Sequence, residues 1–422
     1  MGGLGKTTLA QLVYEDSRVQ QRFDLKVWVN ISEKFDVLQI TKRIYEEATS
    51  QECKSGELFV LQSKLKTALK GKRFLFVLDD VWNENYGQWD SLKSSFQSGA
   101  DGSKIIVTTR SKVVASTMSK RVMHELKLVS DDDCWRIFEK HAFDDSAEAT
   151  AQLKEIGLEI VERCQGLPLA VKSVAGLLRS TSIPEGWREI LNSDIWQLQF
   201  QDNLKNHIVP ALWLSYHFLP PALKRCFAYF SIFPKGYLFN QGTMKNIILF
   251  WMAEGLVTPE KGKRMEDAGQ AYLEALISRS FFQQSSKWES YMVMHDLVHD
   301  LAMFISGEFC FSCGDSNDLS NLGTKSCHLS YREGSDDLMK LMSREKKLMS
   351  LRTLLALPFP SWYGIDKPVL ELHELFLKVG RCLRVLSLPQ SSITELPDSI
   401  GNMKYLRRWI RFQRKGCCFQ PL

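Results

Sequence analysis

The first residues with chemical reach are Gly2-Gly3-Leu4-Gly5-Lys6-Thr7-Thr8, small residues followed by a cation and two hydroxyls. Such a loop curls backbone N–H groups around phosphate oxygens, and a helix starting beyond it adds the positive end of its dipole. In the G-x-x-x-x-G-K-[ST] pattern, Gly3, Leu4 and Gly5 line the phosphates and Lys6 reaches the β- and γ-phosphates. Thr7 turns its hydroxyl to Mg²⁺, with Thr8 beside it. The pattern's first Gly would fall ahead of Met1, and no strand precedes the loop. The chain is therefore expected to start inside a larger domain. Because the strand leading into such a loop normally lies centrally, its neighbours are expected to carry unpaired backbone groups.

Further along, Phe74-Leu75-Phe76-Val77-Leu78-Asp79-Asp80 is an apolar run closed by two carboxylates. At the end of a strand Asp79 can hold Mg²⁺ directly or through water, and Asp80, the catalytic candidate, can orient or deprotonate an attacking water. Alone this is an ordinary strand end; together with the loop it is the Walker-B partner of a phosphate site. Thr108-Thr109-Arg110 closes a further apolar run. An Arg there lies on the same sheet edge as the phosphates and can sense a γ-phosphate by charge-assisted hydrogen bonds; the alternative is a solvated surface Arg.

These groups need a sheet to hold them. Leu25–Val29, Arg73–Leu78 and Lys104–Thr108 read as strands, and between them Val37, Ile40 and Ile44, then Leu58, Leu61, Leu65 and Leu69, mark helical faces. Strands alternating with helices imply crossovers and a mostly parallel sheet. Residues 123–310 read as mainly helical, with Trp135, Phe138, Leu167, Leu169, Leu177, Trp213, Phe227, Phe230, Trp251 and Leu256 in the core. Pro184-Glu185-Gly186 and Leu219-Pro220-Pro221 are expected to mark breaks between helices. A pair of strands is expected at Phe281–Gln284 and Tyr291–Met294, with a helix from His295. From about 314 to 346 the chain turns polar, as a connector would. Leu351-Arg352-Thr353-Leu354 and Leu383–Leu388 then share an L-x-x-L core, continued by Ile393, Leu396, Pro397, Ile400 and Met403 and restarted at Leu406. Leu383 to Leu406 fits the ~20–29-residue period of a leucine-rich repeat, of which at least about three are usually needed. The array is expected to be cut short, and Arg411–Leu422 fits no repeat position.

The ordered segments GGLGKTTLA, FDLKVWVNIS, FLFVLDDVW, GSKIIVTTR, CQGLPLAV, CFAYFSIFPKGY, WMAEGLV and MHDLVHDLA cover roughly residues 1–305. In that order they resemble a plant nucleotide-binding, leucine-rich-repeat disease-resistance protein with an NB-ARC core. Trp82 after the paired Asp, with VWVNIS, resembles the coiled-coil subclass, whose coiled coil would lie upstream. The resemblance implies an α/β P-loop NTPase domain (1–122) and a helical domain (123–197). A winged-helix-like domain (198–312), a connector (313–345), a few leucine-rich repeats (346–410) and an atypical tail (411–422) would follow. It makes Pro168 of Gly166-Leu167-Pro168-Leu169 an adenine contact, although GLPL also reads as a helix-starting turn with Pro at the first helical position. It makes His295 of Met294-His295-Asp296 the contact to the ADP phosphate that holds the inactive state. The function implied is an ADP/ATP switch, Mg²⁺-dependent and at most a slow ATPase, in a cytoplasmic immune receptor. Its partners would be a pathogen effector or guarded host protein on the repeats, and further copies of itself when activated.

Other constellations point elsewhere. His295-Asp296-Leu297-Val298-His299 approaches a zinc signature, but Asp is shorter than the usual Glu base and no third ligand is evident. Cys310-Phe311-Ser312-Cys313 lacks a second well-spaced pair. The aromatics Phe227, Tyr229, Phe230, Phe233 and Trp251 read as core rather than a ligand cage. With 44% apolar and 24% charged residues, the 422-residue chain is of globular composition and long enough for roughly two to four domains. The net charge of +5 is dispersed, which gives no case for specific nucleic-acid binding. No apolar run reaches the roughly 18 residues of a membrane span, the nearest being Ile247–Ala253, and the first residues are expected to act neither as a secretory leader nor, with Lys at position 6, as a myristoylation signal. Ten Cys without a framework suit reduced thiols inside a cell. The competing reading is a truncated, nucleotide-free interaction protein or a non-functional gene fragment.

Overall fold

The computed structural model describes residues 1–31, 35–53, 56–119, 123–143, 150–179, 181, 183–197, 209–259, 262–285, 290–312, 323, 325–332, 349–357, 381–388, 401 and 403–411. It divides the chain into two compact units, one spanning Met1–Lys127 and one beginning at Leu128.

In the first unit, β1 (Leu25–Asn30), β2 (Phe74–Asp79) and β3 (Lys104–Val107) form a parallel sheet in the order β1-β2-β3. These are the three expected strands. All six residues of β2 are buried, the signature of a parallel strand covered on both faces. On one face Phe76, Leu78 and Val27 pack with Ile40, Ile44, Leu65 and Leu69 from the helices Val37–Thr49 and Leu58–Leu69. On the other, Val77 and Trp28 pack with Ala10 from the helix Lys6–Glu15. The expectation of a central gap is corrected: the strands pair continuously, Asn30 with Asp79 and Leu78 with Val107, so both edges of β2 are satisfied. Among the described strands of this sheet, only the outer edges of β1 and β3 lack a neighbour. The register also aligns the carboxyl ends, which brings Asp79 beside Thr108.

The second unit is helical through Asp131–Ala142, Ala151–Arg163, Pro168–Leu178, Pro184–Leu191, Pro210–His217, Pro221–Tyr229, Gln241–Glu254, Met265–Ser278 and Asp296–Ser306. Ser130, Thr150 and Asn240 cap their helices through side-chain oxygens. Four helices instead open on Pro, whose fixed φ and missing N–H suit the first turn. The two expected breaks fall at helix junctions, with Pro184-Glu185-Gly186 itself forming the first turn of the helix that follows Pro168–Leu178, and Leu219-Pro220 lying between Pro210–His217 and Pro221–Tyr229. Three short strands, β4 (Leu238–Phe239), β5 (Gln283–Gln284) and β6 (Met292–Val293), form an antiparallel sheet in the order β4-β6-β5. The β5–β6 pair is the expected one; β4, two residues long, has no readable period. The aromatics Phe227, Tyr229, Phe230, Phe233 and Trp251 are all buried in this core. Ile247–Ala253 lies in the helix Gln241–Glu254, and among the described residues no helix is long and apolar enough to cross a membrane.

A five-stranded parallel sheet closes the unit: β7 (Cys310–Ser312), β8 (His328–Arg332), β9 (Thr353–Leu357), β10 (Val385–Leu388) and β11 (Arg408–Arg411), in sequence order. Leu351, Leu354, Leu383, Leu386 and Met403 are buried, and Leu406 is half-buried. Ile393, Leu396, Pro397, Ile400 and residues 412–422 lie outside the described residues. β8 sits inside the expected connector. Two of its polar residues find partners there: the buried Ser330 hydroxyl donates to the Ile232 carbonyl, and the half-buried His328 bonds Thr353.

Candidate functional site

The helix Lys6–Glu15 begins directly after Gly5, which sits in the left-handed region at φ +89°, with Gly3 at φ +77°. Side chains rarely adopt that conformation, so Gly is required where the loop bends. No side chain caps this helix and no acidic residue lies in its first turn, so its N–H groups are offered to an anion. Lys6 Nζ donates to the Met1 carbonyl at 2.6 Å. Burial and the neighbouring Arg110 hold the Lys6 ammonium below its ordinary pKa, against the pull of Asp80 and Asp79.

The loop is tied to the sheet through Thr7, whose Oγ1 donates to Asp79 Oδ1 at 2.9 Å. Thr108 Oγ1 donates to the same oxygen at 2.5 Å. Asp79 is 6% exposed. Burial raises its pKa, opposed by these two hydroxyl bonds, Thr108 foremost. Asp80 follows in the left-handed region at φ +54°, and its N–H donates to Thr108 Oγ1 at 2.8 Å. The Asp80 carboxylate accepts from Trp82 Nε1 at 3.1 Å and pairs with Arg110, whose Nη2 and Nε lie 3.4 Å away. The Arg110 guanidinium also lies over the Trp82 ring, 5.0 Å from its centroid.

Lys6, Thr7, Asp79, Asp80 and Arg110 thus converge at the carboxyl end of the sheet, with Gly3, Leu4, Gly5 and Thr8 in the loop and first turn. Because Thr7 gives its proton to Asp79, its lone pairs face away from the carboxylate. A hydroxyl oxygen beside an anionic oxygen is the hard donor set that Mg²⁺ takes. The Asp80 carboxylate is thus already engaged by the Arg110 guanidinium and the Trp82 N–H. Sequence reasoning missed Thr108 altogether and used Trp82 only as a subclass marker. The available signal for Thr108 was its place, one residue past a strand in register with the acid-bearing one.

Pro168 and His295 belong to the second unit. Pro168 is the first residue of its helix, so the helix-starting reading of GLPL holds. Gly166, two residues before it, has φ +68° and would bring an added Cβ to 2.7 Å from the Val129 carbonyl oxygen. His295 caps the helix Asp296–Ser306, its Nδ1 accepting the Leu297 N–H at 3.1 Å. His299 is buried with Nε2 donating to the Phe233 carbonyl at 2.6 Å, a core histidine. Among the described residues no group of three or more His, Cys, Asp or Glu side chains is placed to hold a metal ion. Cys313, Cys417 and Cys418 lie outside the described residues.

A second buried polar cluster had no sequence signal. Thr353 Oγ1 donates to Glu254 Oε1 at 2.7 Å, and therefore accepts from His328 Nδ1 at 3.0 Å and from Tyr229 OH at 3.2 Å. Arg384 donates to the Glu254 carbonyl at 3.1 Å, at the C-terminal end of its helix.

A phosphate loop, an acid-ended central strand and a parallel sheet between helices define a P-loop nucleoside-triphosphatase fold. The NB-ARC domain model matches residues 1–148, and the disease resistance protein winged helix domain model matches residues 232–302. The disease resistance RPP13-like protein 1 of Arabidopsis thaliana is 42% identical over 417 residues, covering 96% of this chain and 38% of the relative. Disease resistance protein RGA2 of Solanum bulbocastanum is 37% identical, with 96% and 38% covered. Disease resistance protein RPM1 of Arabidopsis thaliana is 32% identical, with 96% and 44% covered. The chain belongs to the NB-ARC family of plant disease-resistance proteins, and it spans less than half the length of these relatives. A signal transduction ATPase with numerous domains and a tetratricopeptide repeat sensor, solved from Pyrococcus horikoshii, overlaps at 14% identity. Its TM-score of 0.43, over 72% of this chain and 39% of that one, carries no argument.

Proposed function

We propose that this chain is the ADP/ATP-binding switch of a cytoplasmic plant immune receptor, off with ADP and on with ATP. The observation that carries the reading is the 2.9 Å bond from Thr7 to Asp79, which joins the phosphate loop to the acid strand. Lys6 and the open N–H groups of the first helical turn bind the phosphates. Thr7 and Asp79 would hold Mg²⁺, which would supply neutralisation of phosphate charge.

In this reading Pro168 packs on the adenine and His295 holds the ADP phosphate. Since His295 Nδ1 accepts the Leu297 N–H, its proton sits on Nε2, the nitrogen able to donate to phosphate. In the on state Arg110 exchanges Asp80 for the γ-phosphate, and the released Asp80 orients water for a slow, resetting hydrolysis. One hydrogen bond to a charged group is worth about 1.5–3 kcal/mol, whereas moving a population from 1:99 to 99:1 takes about 5.5. His295 therefore biases the switch without fully setting it, and domain packing and the repeat array contribute the rest.

The same reading places a helical domain at 123–197 and a winged-helix domain at 198–312, with leucine-rich repeats built on β9, β10 and β11. Those repeats would meet an effector or a guarded host protein, and the activated receptor would self-associate. The test is to purify the chain natively, denature it and quantify released nucleotide by chromatography. Near-stoichiometric ADP supports the switch; soluble, monodisperse protein without nucleotide overturns it in favour of an interaction-only chain.

A further inference from the structure

We infer that Thr108 is the positioning residue for the magnesium side of this site, its single hydroxyl orienting Asp79 for the cation. The inference deepens the nucleotide reading and rests on it. A Thr hydroxyl has one proton and two lone pairs. Thr108 places the proton on Asp79 Oδ1 at 2.5 Å and accepts the Asp80 N–H at 2.8 Å.

Two consequences follow from that geometry. Thr7 and Thr108 both donate to Oδ1, so the carboxylate is held about its own axis by two bonds and the direction of Oδ2 is set. The Asp80 N–H, in a left-handed turn that disfavours side chains, receives a partner that stabilises the turn. The hydroxyl itself is held. The Thr108 N–H donates to the Leu78 carbonyl at 3.0 Å, its carbonyl accepts the Val81 N–H at 2.9 Å, and its β-branched side chain is 7% exposed with a restricted χ1. Residues that orient a metal's ligands typically change metal affinity about 10–100-fold when removed.

The test is ADP binding to the purified full chain by calorimetry, once with Mg²⁺ and once with EDTA. Wild type is expected to bind ADP more tightly with Mg²⁺. Thr108→Val is expected to lower that enhancement by about 10-fold or more while leaving binding in EDTA nearly unchanged, and Thr108→Ser to restore it. Full enhancement in Thr108→Val overturns the assignment. So does an equal loss in Mg²⁺ and in EDTA, which would make Thr108 a support of the sheet end only. Should Thr108→Val fail to fold, Thr108→Cys, similar in size and a poor donor, goes through the same two titrations, and the same outcomes support or overturn the assignment. Absence of ADP binding by wild type in both conditions removes the nucleotide reading and this inference with it.

Discussion

Lys6 and Arg110 are the two cations of the site, and they are not interchangeable. Lys6 carries a compact charge on a flexible stem and is half-buried beside Arg110, whereas a guanidinium is a planar fork. Lys6→Arg is expected to abolish nucleotide retention, measured as ADP released from the denatured protein. Retention unchanged from wild type would remove the phosphate-loop assignment. The residues of this loop were legible because the backbone chemistry of phosphate binding demands Gly, Lys and a hydroxyl in fixed order. Thr108 was not, since its role depends on strand register rather than on any neighbour in sequence.

At the scale of elements, Gly166 shows how a loop constrains the helix after it. Its φ of +68° and the 2.7 Å approach of a Cβ to the Val129 carbonyl oxygen leave no room for a side chain. The Gly166 carbonyl meanwhile accepts the Val129 N–H at 3.0 Å. Gly166→Ala is expected to destabilise the second unit by about 1–3 kcal/mol, the order of a strained left-handed residue. A thermal melt indistinguishable from wild type would contradict this. The strands of the first unit were readable because parallel strands buried on both faces become continuous apolar runs. β8 was not, because Ser330 and His328 are polar in sequence and find their partners Ile232 and Thr353 far away along the chain. Pro184 was legible as a helix junction but not as the opening residue of the later helix, because Pro both ends and begins helices and only the backbone that follows distinguishes the two.

At the scale of the molecule, the cluster around Glu254 joins the helix Gln241–Glu254 to β8, β9 and β10. Burial, then the charges of Arg352 and Arg384, depress His328 from the ordinary 6.5 to about 4. The folded state therefore binds fewer protons than the unfolded one between those values. Stability from this residue is complete above pH 6.5 and is lost as pH falls toward 4, at up to roughly 1.4 kcal/mol per pH unit. Denaturant titrations at about pH 7, 6 and 5 should show that slope in wild type and a shallower one in His328→Gln. Equal slopes would show that His328 does not carry it. Glu254, raised mainly by burial, acts in the opposite sense, so the difference between the two proteins is the quantity to read. At the same scale, Asp296→Val, beside His295, is expected to raise signalling by a full-length receptor, scored as cell death in leaves. A variant that keeps ADP as tightly and signals no more than wild type would refute the proposed latch.

Local chemistry was written in contiguous residues: the phosphate loop, the acid-ended strand and the periodic helices each follow from neighbours along the chain. Long-range pairing was not. The bond of Thr7 and Thr108 to one oxygen of Asp79, the pairing of Asp80 with Arg110 and the buried Glu254 cluster each join residues that the packing of strands and helices alone brings together. A buried polar group is stable only where a partner meets it, and that partner is chosen by the packing of elements.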